Sequence, residues 1–145
     1  MLYTPQTKLA MNIAYAAHHG QRDKGGAPYI FHPYHLAEQM ETEAEVTAAL
    51  LHDVVEDTEW TFEGLRAAGI TQEVVEILKF LTHPKDEPYM DYIHRVLKNP
   101  TARKIKLADI RHNSDMTRLD AQDDRKREYF QNKYREAICL LEADS

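Results

Sequence analysis

Thr42-Glu43-Ala44-Glu45-Val46-Thr47-Ala48-Ala49-Leu50-Leu51-His52-Asp53-Val54-Val55-Glu56-Asp57 is the stretch on which the reading of this chain turns. Thr42 and Glu45 have the Thr-x-x-Glu spacing of a capping box, in which each side chain satisfies the other's free backbone donor at a helix start. Val46, Ala48, Ala49, Leu50, Leu51, Val54 and Val55 then cover most of the circumference, which predicts a buried helix over about 43–57. That helix carries His52-Asp53 and, four residues on, Glu56-Asp57. Taking an ionised carboxylate out of water is very costly unless it is paired or bound to a metal. A divalent metal would supply the missing counter-charge.

On either side the chain continues in helical periods. Thr4-Pro5 opens a first helix, with threonine as N-cap and proline at the first helical position. Leu9, Ala10, Ile13, Ala14 and Ala17 recur at helical spacing to about His18. Residues 20–31 hold three glycines and a proline, which predicts a loop. His32-Pro33 restarts a helix with Leu36, Ala37 and Met40 on its inner face. Helices are expected at about 61–67 and 71–81, parted by Gly69, and at about 89–98 beyond Pro84 and Pro88. Asn99-Pro100 repeats the cap-then-proline signal before Ile105, Leu107, Ala108 and Ile110. A last helix at about 122–142 carries Tyr129, Phe130, Tyr134, Ile138 and Leu141 on one face, and its aromatic stripe Tyr129, Phe130, Tyr134 is read as core or dimer contact rather than as a binding surface. No alternating strand pattern exceeds three or four residues. The expected fold class is all-α, a bundle of about seven to eight helices forming one domain over 1–145.

Composition narrows the function classes. The 145 residues are 43% hydrophobic and 29% charged, which fits one ordinary hydrophobic core. A formal net charge of −6 argues against a nucleic-acid-binding module, which carries a basic face. It also means that an anionic substrate needs local positive charge or a metal to overcome the overall field. Cys139 is the single cysteine, so no internal disulfide forms and a reducing cytoplasm fits. No basic-then-apolar N-terminal signal and no run of about 18 apolar residues is present, so a cytoplasmic protein without a membrane partner is expected.

Three separated segments offer metal ligands: His32 where the glycine loop meets a helix, His52-Asp53, and Asp109 within Lys106-Leu107-Ala108-Asp109-Ile110-Arg111-His112-Asn113. Two imidazoles and two carboxylates suit Mn²⁺, Fe²⁺ or Zn²⁺ better than Ca²⁺ or Mg²⁺, which prefer all-oxygen shells. Taken singly, a histidine on an apolar helix is more often a hydrogen-bonded core residue, and an aspartate beside a lysine or arginine a surface ion pair. Spacing alone leaves both outcomes open.

The blocks Ala17-His18-x-Gly20-Gln21, Pro28-Tyr29-Ile30-x-His32-Pro33, Leu50-Leu51-His52-Asp53-Val54-Val55-Glu56-Asp57-Thr58 and Lys106-Leu107-Ala108-Asp109-x-x-His112-Asn113 resemble the HD-superfamily hydrolase domain of RelA/SpoT proteins. They stand in that family's order over about residues 5–120. The resemblance implies an HD fold with Mn²⁺ held by His32, His52, Asp53 and Asp109, Glu56 and Asp57 as the catalytic acidic pair, and Asn113 lining a nucleotide pocket. It implies hydrolysis of the 3′-pyrophosphate of guanosine tetra- and pentaphosphate, as in the small stand-alone hydrolases that include the metazoan SpoT homologue.

The residues admit that chemistry. Glu56 and Asp57 can orient or deprotonate an attacking water, and their nearness should raise one pKa toward neutrality. Their alternative is to cap or salt-bridge the end of the 43–57 helix, which the macrodipole disfavours by about 0.3–1 kcal/mol each. Lys106 and Asn113 share a helical stripe with Asp109, so Lys106 either neutralises phosphate or braces Asp109, while Asn113 can bond sugar or phosphate. Arg22 and Lys24 in the glycine loop are candidates for phosphate or base contacts, or are simply solvated. His18, His19, His35, His83 and His94 are read as structural or surface residues, and His112 as a brace.

Two segments depart from the family. Where it reads Gly-Gln-x-Arg-Lys-x-Gly, this chain has Gly20-Gln21-Arg22-Asp23-Lys24-Gly25-Gly26, so Asp23 stands where the family's guanine-stacking Arg would be. Met116 takes the place of a family Thr. Asp23 could read a guanine edge or select another base. Three readings follow: an alarmone pyrophosphohydrolase, a hydrolase of another nucleotide (a dNTP, a nucleoside monophosphate or NADPH), and a non-catalytic nucleotide-binding module.

Overall fold

The computed structural model describes residues 1–115 and 124–143, so Met116 and the expected helix start at 122–123 lie outside the described residues. Nine helices follow one another among them: α1 (Pro5–Ala17), α2 (Phe31–Glu38), α3 (Glu43–Leu51), α4 (Val54–Asp57), α5 (Phe62–Ala68), α6 (Gln72–Leu81), α7 (Tyr89–Val96), α8 (Pro100–Asn113) and α9 (Asp124–Glu142). No strand occurs among the described residues; one antiparallel bridge between Arg22 and Pro28 closes the glycine loop. No helix there is long and apolar enough to cross a membrane. The all-α expectation holds.

The capping box starts the central helix as the spacing requires. Thr42 Oγ1 accepts from Glu45 N at 3.1 Å, and Glu45 Oε1 accepts from Thr42 N at 3.1 Å. Every residue from Val46 to Leu51 is buried, and α3 packs against α1, α2, α6 and α8. Fully burying a side chain such as Leu50 or Leu51 contributes about 1.5–3 kcal/mol. From α8, Lys104 Nζ reaches both Glu45 carboxylate oxygens at 3.1 Å. Burial alone would raise the Glu45 pKa, but the N–H donors of Glu41 and Thr42 and the Lys104 charge outweigh it and hold the carboxyl below its usual range.

The helix expected to run to 57 stops at Leu51. In a continuing helix the Ala49 carbonyl would accept from Asp53 N–H. Here it faces the His52 ring instead, with Nδ1 at 2.7 Å. Asp53 takes φ −108°, ψ 0°, and a separate four-residue helix begins at Val54. This break adds one helix to the eight expected segments. It also corrects the macrodipole argument: Glu56 and Asp57 lie in the first turn of α4, where acidic residues are favoured, and not at the end of α3.

Two loops are pinned by side chains. In the glycine loop Asp23 Oδ1 accepts from the backbone N–H of Gly25 and of Ala27, both at 2.9 Å, and Gly26 supplies the positive φ of 89° that the turn needs. After α6, Arg95 donates to both Glu87 oxygens (3.1 and 2.9 Å) and to the carbonyls of Lys79, Phe80 and Thr82, so the 82–88 connection is held against α7. At the C-terminal end, α9 packs on α7 and α8 through Phe130, Tyr134, Ala137 and Leu141.

Removing the cap in Thr42→Ala should lower unfolding free energy by about 1 kcal/mol in denaturant titrations. Because the folded pKa of Glu45 lies below its unfolded value, its contribution is complete above the usual carboxylate pKa and is lost as pH falls. Glu45→Gln should therefore lose less stability than the parent on acidification from about pH 5 to about pH 3. An unchanged acid slope would overturn this account of the cap.

Candidate active centre

His32 in the first turn of α2, His52 at the end of α3 and Asp109 in α8 are 2%, 4% and 5% exposed, and each offers a ligand atom within 4.8 Å of the others. Three helices that α3 holds together thus deliver one donor each. The Ala49 carbonyl can only accept, so the His52 proton sits on Nδ1 and the Nε2 edge faces the cluster. Nε2 is buried and makes no hydrogen bond of acceptable geometry, although Asp53 Oδ2 lies at 2.9 Å and Asp109 Oδ1 at 3.6 Å. A buried imidazole nitrogen aimed at two carboxylates and a second imidazole fits a divalent cation well.

Asp109 is the most heavily supported member. Oδ1 lies 2.8 Å from His32 Nε2 and accepts from Asn113 Nδ2 at 3.1 Å; Oδ2 accepts from Lys106 Nζ at 2.9 Å. Burial works to raise its pKa, yet the Lys106 ammonium and the two histidines hold the carboxyl well below its usual range. The same pairing offsets the burial of Lys106 and keeps that ammonium charged. For His52, burial is outweighed by Asp53 and Asp109, which raise its pKa well above the ordinary value.

Asp53 flanks this triad, and the Tyr29 hydroxyl donates to its Oδ2. Tyr29 packs in turn on the buried His18 ring (4.8 Å between centroids), which is itself bonded through Nδ1 to Gln21 Oε1 at 2.9 Å. His112 Nδ1 lies 2.8 Å from His32 Nδ1 with the rings parallel, so one proton between them fixes the His32 ring. Tyr29 and His112 stood inside the quoted sequence blocks, but their bonds to Asp53 and His32 needed the fold to be seen.

Of the acidic pair, Glu56 Oε1 accepts from His83 N–H at 2.7 Å, which anchors it to the 82–88 connection. Asp57 is exposed, yet desolvation by the surrounding protein, then the charges of Asp53 and Glu56, push its pKa up to about 6. The expected rise comes mainly from partial enclosure and less from the neighbouring Glu56.

Two cavities share Asn113 and Tyr134 in their walls, and each takes in part of the cluster. The first, about 310 Å³, is lined by the glycine loop from Arg22 to Gly25, by Tyr29 and His32, and by Phe130 and Tyr134 of α9. Lys24 Nζ sits 4.8 Å from the centre of the Phe130 ring, and Arg22 donates to Gly26 O at 2.9 Å. The second, about 300 Å³, takes in His52, Asp53, Glu56 and Asp109. Asp57 lines neither. Phe130 and Tyr134, expected as core or dimer contacts, are buried and form cavity wall as well.

A family model for the HD domain matches residues 10–112. Among curated proteins, a GTP pyrophosphokinase of Streptomyces coelicolor is 35% identical over 92% of this chain, and the chain spans 16% of that protein's length. A guanosine-3′,5′-bis(diphosphate) 3′-pyrophosphohydrolase of Danio rerio is 35% identical over 83% of this chain and 76% of its own length. Among solved structures, a metazoan orthologue of SpoT reported to hydrolyse ppGpp superposes with a TM-score of 0.77 at 22% identity, covering 97% of this chain and 87% of that one.

A cation entering the triad must displace the second proton, on Nε2, that the raised pKa keeps on His52 in its absence. Calorimetric titration of chelator-treated protein with Mn²⁺ should therefore release protons and tighten as pH rises. Heats independent of the buffer's ionisation enthalpy would contradict a charged His52 in the metal-free centre.

Proposed function

The chain belongs to the HD-domain family, and we propose that it is a metal-dependent phosphohydrolase that removes the 3′-diphosphate of guanosine tetra- or pentaphosphate. The observation that carries the reading is the buried convergence of His32, His52 and Asp109, with His52 Nε2 unbonded at its centre. The activity for which the Danio rerio relative is named supports the substrate class. In this proposal His32, His52, Asp53 and Asp109 hold the cation, Mn²⁺ first and Fe²⁺ or Zn²⁺ as alternatives. When bound, such an ion supplies a Lewis acid for phosphoryl charge and lowers the pKa of water from 15.7 toward about 7.

The residues around it divide the remaining work. Water adds to the phosphorus attached to the ribose 3′ oxygen, the bond to that oxygen breaks, and the oxygen takes back the proton that the water gave up. Pyrophosphate and GDP or GTP leave. Glu56, anchored by His83 N–H beside the second cavity, orients the water; Asp57, with its raised pKa, takes and returns the proton. Lys106 neutralises Asp109 and keeps it ionised, while Asn113, on both cavities, spans centre and ligand. Arg22 and Lys24 face the nucleoside in the first cavity, over the aromatic wall of Phe130. A single domain over 1–145 in the cytoplasm, acting on a nucleotide without nucleic acid, completes the proposal.

One observation favours a second substrate. Asp23 spends a carboxylate oxygen on two loop N–H groups, so the loop is closed by the residue that replaces the family's stacking arginine. The same chemistry on another phosphorylated nucleotide is the second reading.

Purified protein assayed for metal content and for pyrophosphate and phosphate release from guanosine tetraphosphate, dNTPs, nucleoside monophosphates and NADPH separates these readings. Pyrophosphate from the alarmone alone is expected; turnover confined to the others would transfer the proposal to the second reading, and no turnover with any metal would end both. Asp53→Ala should lose metal, whereas Glu56→Ala should keep it and lose about 10²–10⁴-fold in kcat. Since Asp57 is active when deprotonated, kcat/KM should fall below about pH 6, and Asp57→Asn should remove that acid limb along with most of the rate.

A further inference from the structure

The second cavity carries a further pair of polar side chains besides the ligand cluster. Tyr89 of α7 and Lys133 of α9 line it from separate helices, with Tyr134 beside them. Lys133 Nζ lies 5.6 Å from the centre of the Tyr89 ring and 5.3 Å from that of Tyr134. No carboxylate among the described residues comes within ion-pair distance of it, although acidic residues outnumber basic ones 24 to 18 in this chain. The Tyr89 hydroxyl is buried and makes no hydrogen bond among the described residues. A buried hydroxyl left unpaired costs about 1–3 kcal/mol, so its persistence beside an uncommitted ammonium calls for a partner that accepts from both. Three other polar groups on the cavity are committed within the protein: Tyr92 donates to Leu81 O at 2.6 Å, Lys106 to Asp109, and His83 N–H to Glu56.

We propose that Tyr89 and Lys133 form a receptor for the outer phosphate of the diphosphate that is cleaved off, and so hold pyrophosphate as it is released. The proposal rests on the phosphohydrolase reading and adds an orientation to it. With the scissile phosphorus at the ligand cluster, which lines both cavities, a nucleoside in the first cavity directs its diphosphate into the second. An anionic oxygen suits an ammonium and a phenol together best, because hydrogen bonds to a charged acceptor are about twice as strong as neutral ones. The burial of Tyr89 raises its pKa, so the hydroxyl remains a donor at neutral pH.

Calorimetric titrations of the metal-loaded protein with inorganic pyrophosphate and, separately, with GDP test this. Tyr89→Phe and Lys133→Ala should each weaken pyrophosphate about tenfold and leave GDP within about twofold. Pyrophosphate affinity unchanged in both variants, or equal loss of both ligands, would overturn the assignment. Lys133 is exposed, so its replacement spares the fold should Tyr89→Phe not fold. A wild-type protein that turns over no alarmone would defeat the function proposed above, while the pyrophosphate titration would still decide this one.

Discussion

The contact between the His52 imidazole and the Ala49 carbonyl governs the rest of this molecule. It occupies the acceptor that would have carried α3 forward, so the central helix ends there, and it spends Nδ1, so Nε2 turns to the cluster. One bond of about 1 kcal/mol net thereby sets both the path of the chain and the chemistry of a ring. Around that ring His52, Asp53, Lys106 and Asp109 are mutually charged in a space screened from water. Each tolerates burial because of the others, and removing one member of such a set commonly costs about 3–5 kcal/mol. The centre is therefore a cooperative electrostatic object, in which a substitution is felt by every remaining group.

Helix starts were legible where a cap is local chemistry: Thr4, Thr42 and Asn99 each accept from the backbone of the first turn that follows. Thr61 and Thr71 do the same at starts that periodicity alone had placed. The interruption at His52 was not legible, because Val54 and Val55 prolong the apolar pattern and nothing in that pattern records a ring bonding to a carbonyl three residues back. The triad of His32, His52 and Asp109 was readable from residue type and from the matching blocks. Its supports were not: the reach of Tyr29 to Asp53 and of His112 to His32 spans 24 and 80 residues.

Phe130 and Tyr134 show a different limit. An apolar face at helical spacing reports that side chains leave water, and both do, yet it cannot tell a packed core from the wall of a cavity. Asp23 shows a local limit as well. Read as able to meet a guanine edge or to select another base, it also closes its own loop through two backbone N–H groups. Local polar satisfaction, invisible in composition, decides what such a side chain has left to offer.

The match to the HD domain ends at residue 112, whereas Phe130, Lys133 and Tyr134 stand on α9, beyond it. The ligand cluster and part of the surface on which a substrate would rest thus stand on different parts of the chain. Replacements on the inner face of the last helix would change the surroundings of a bound nucleotide without touching one ligand of the centre.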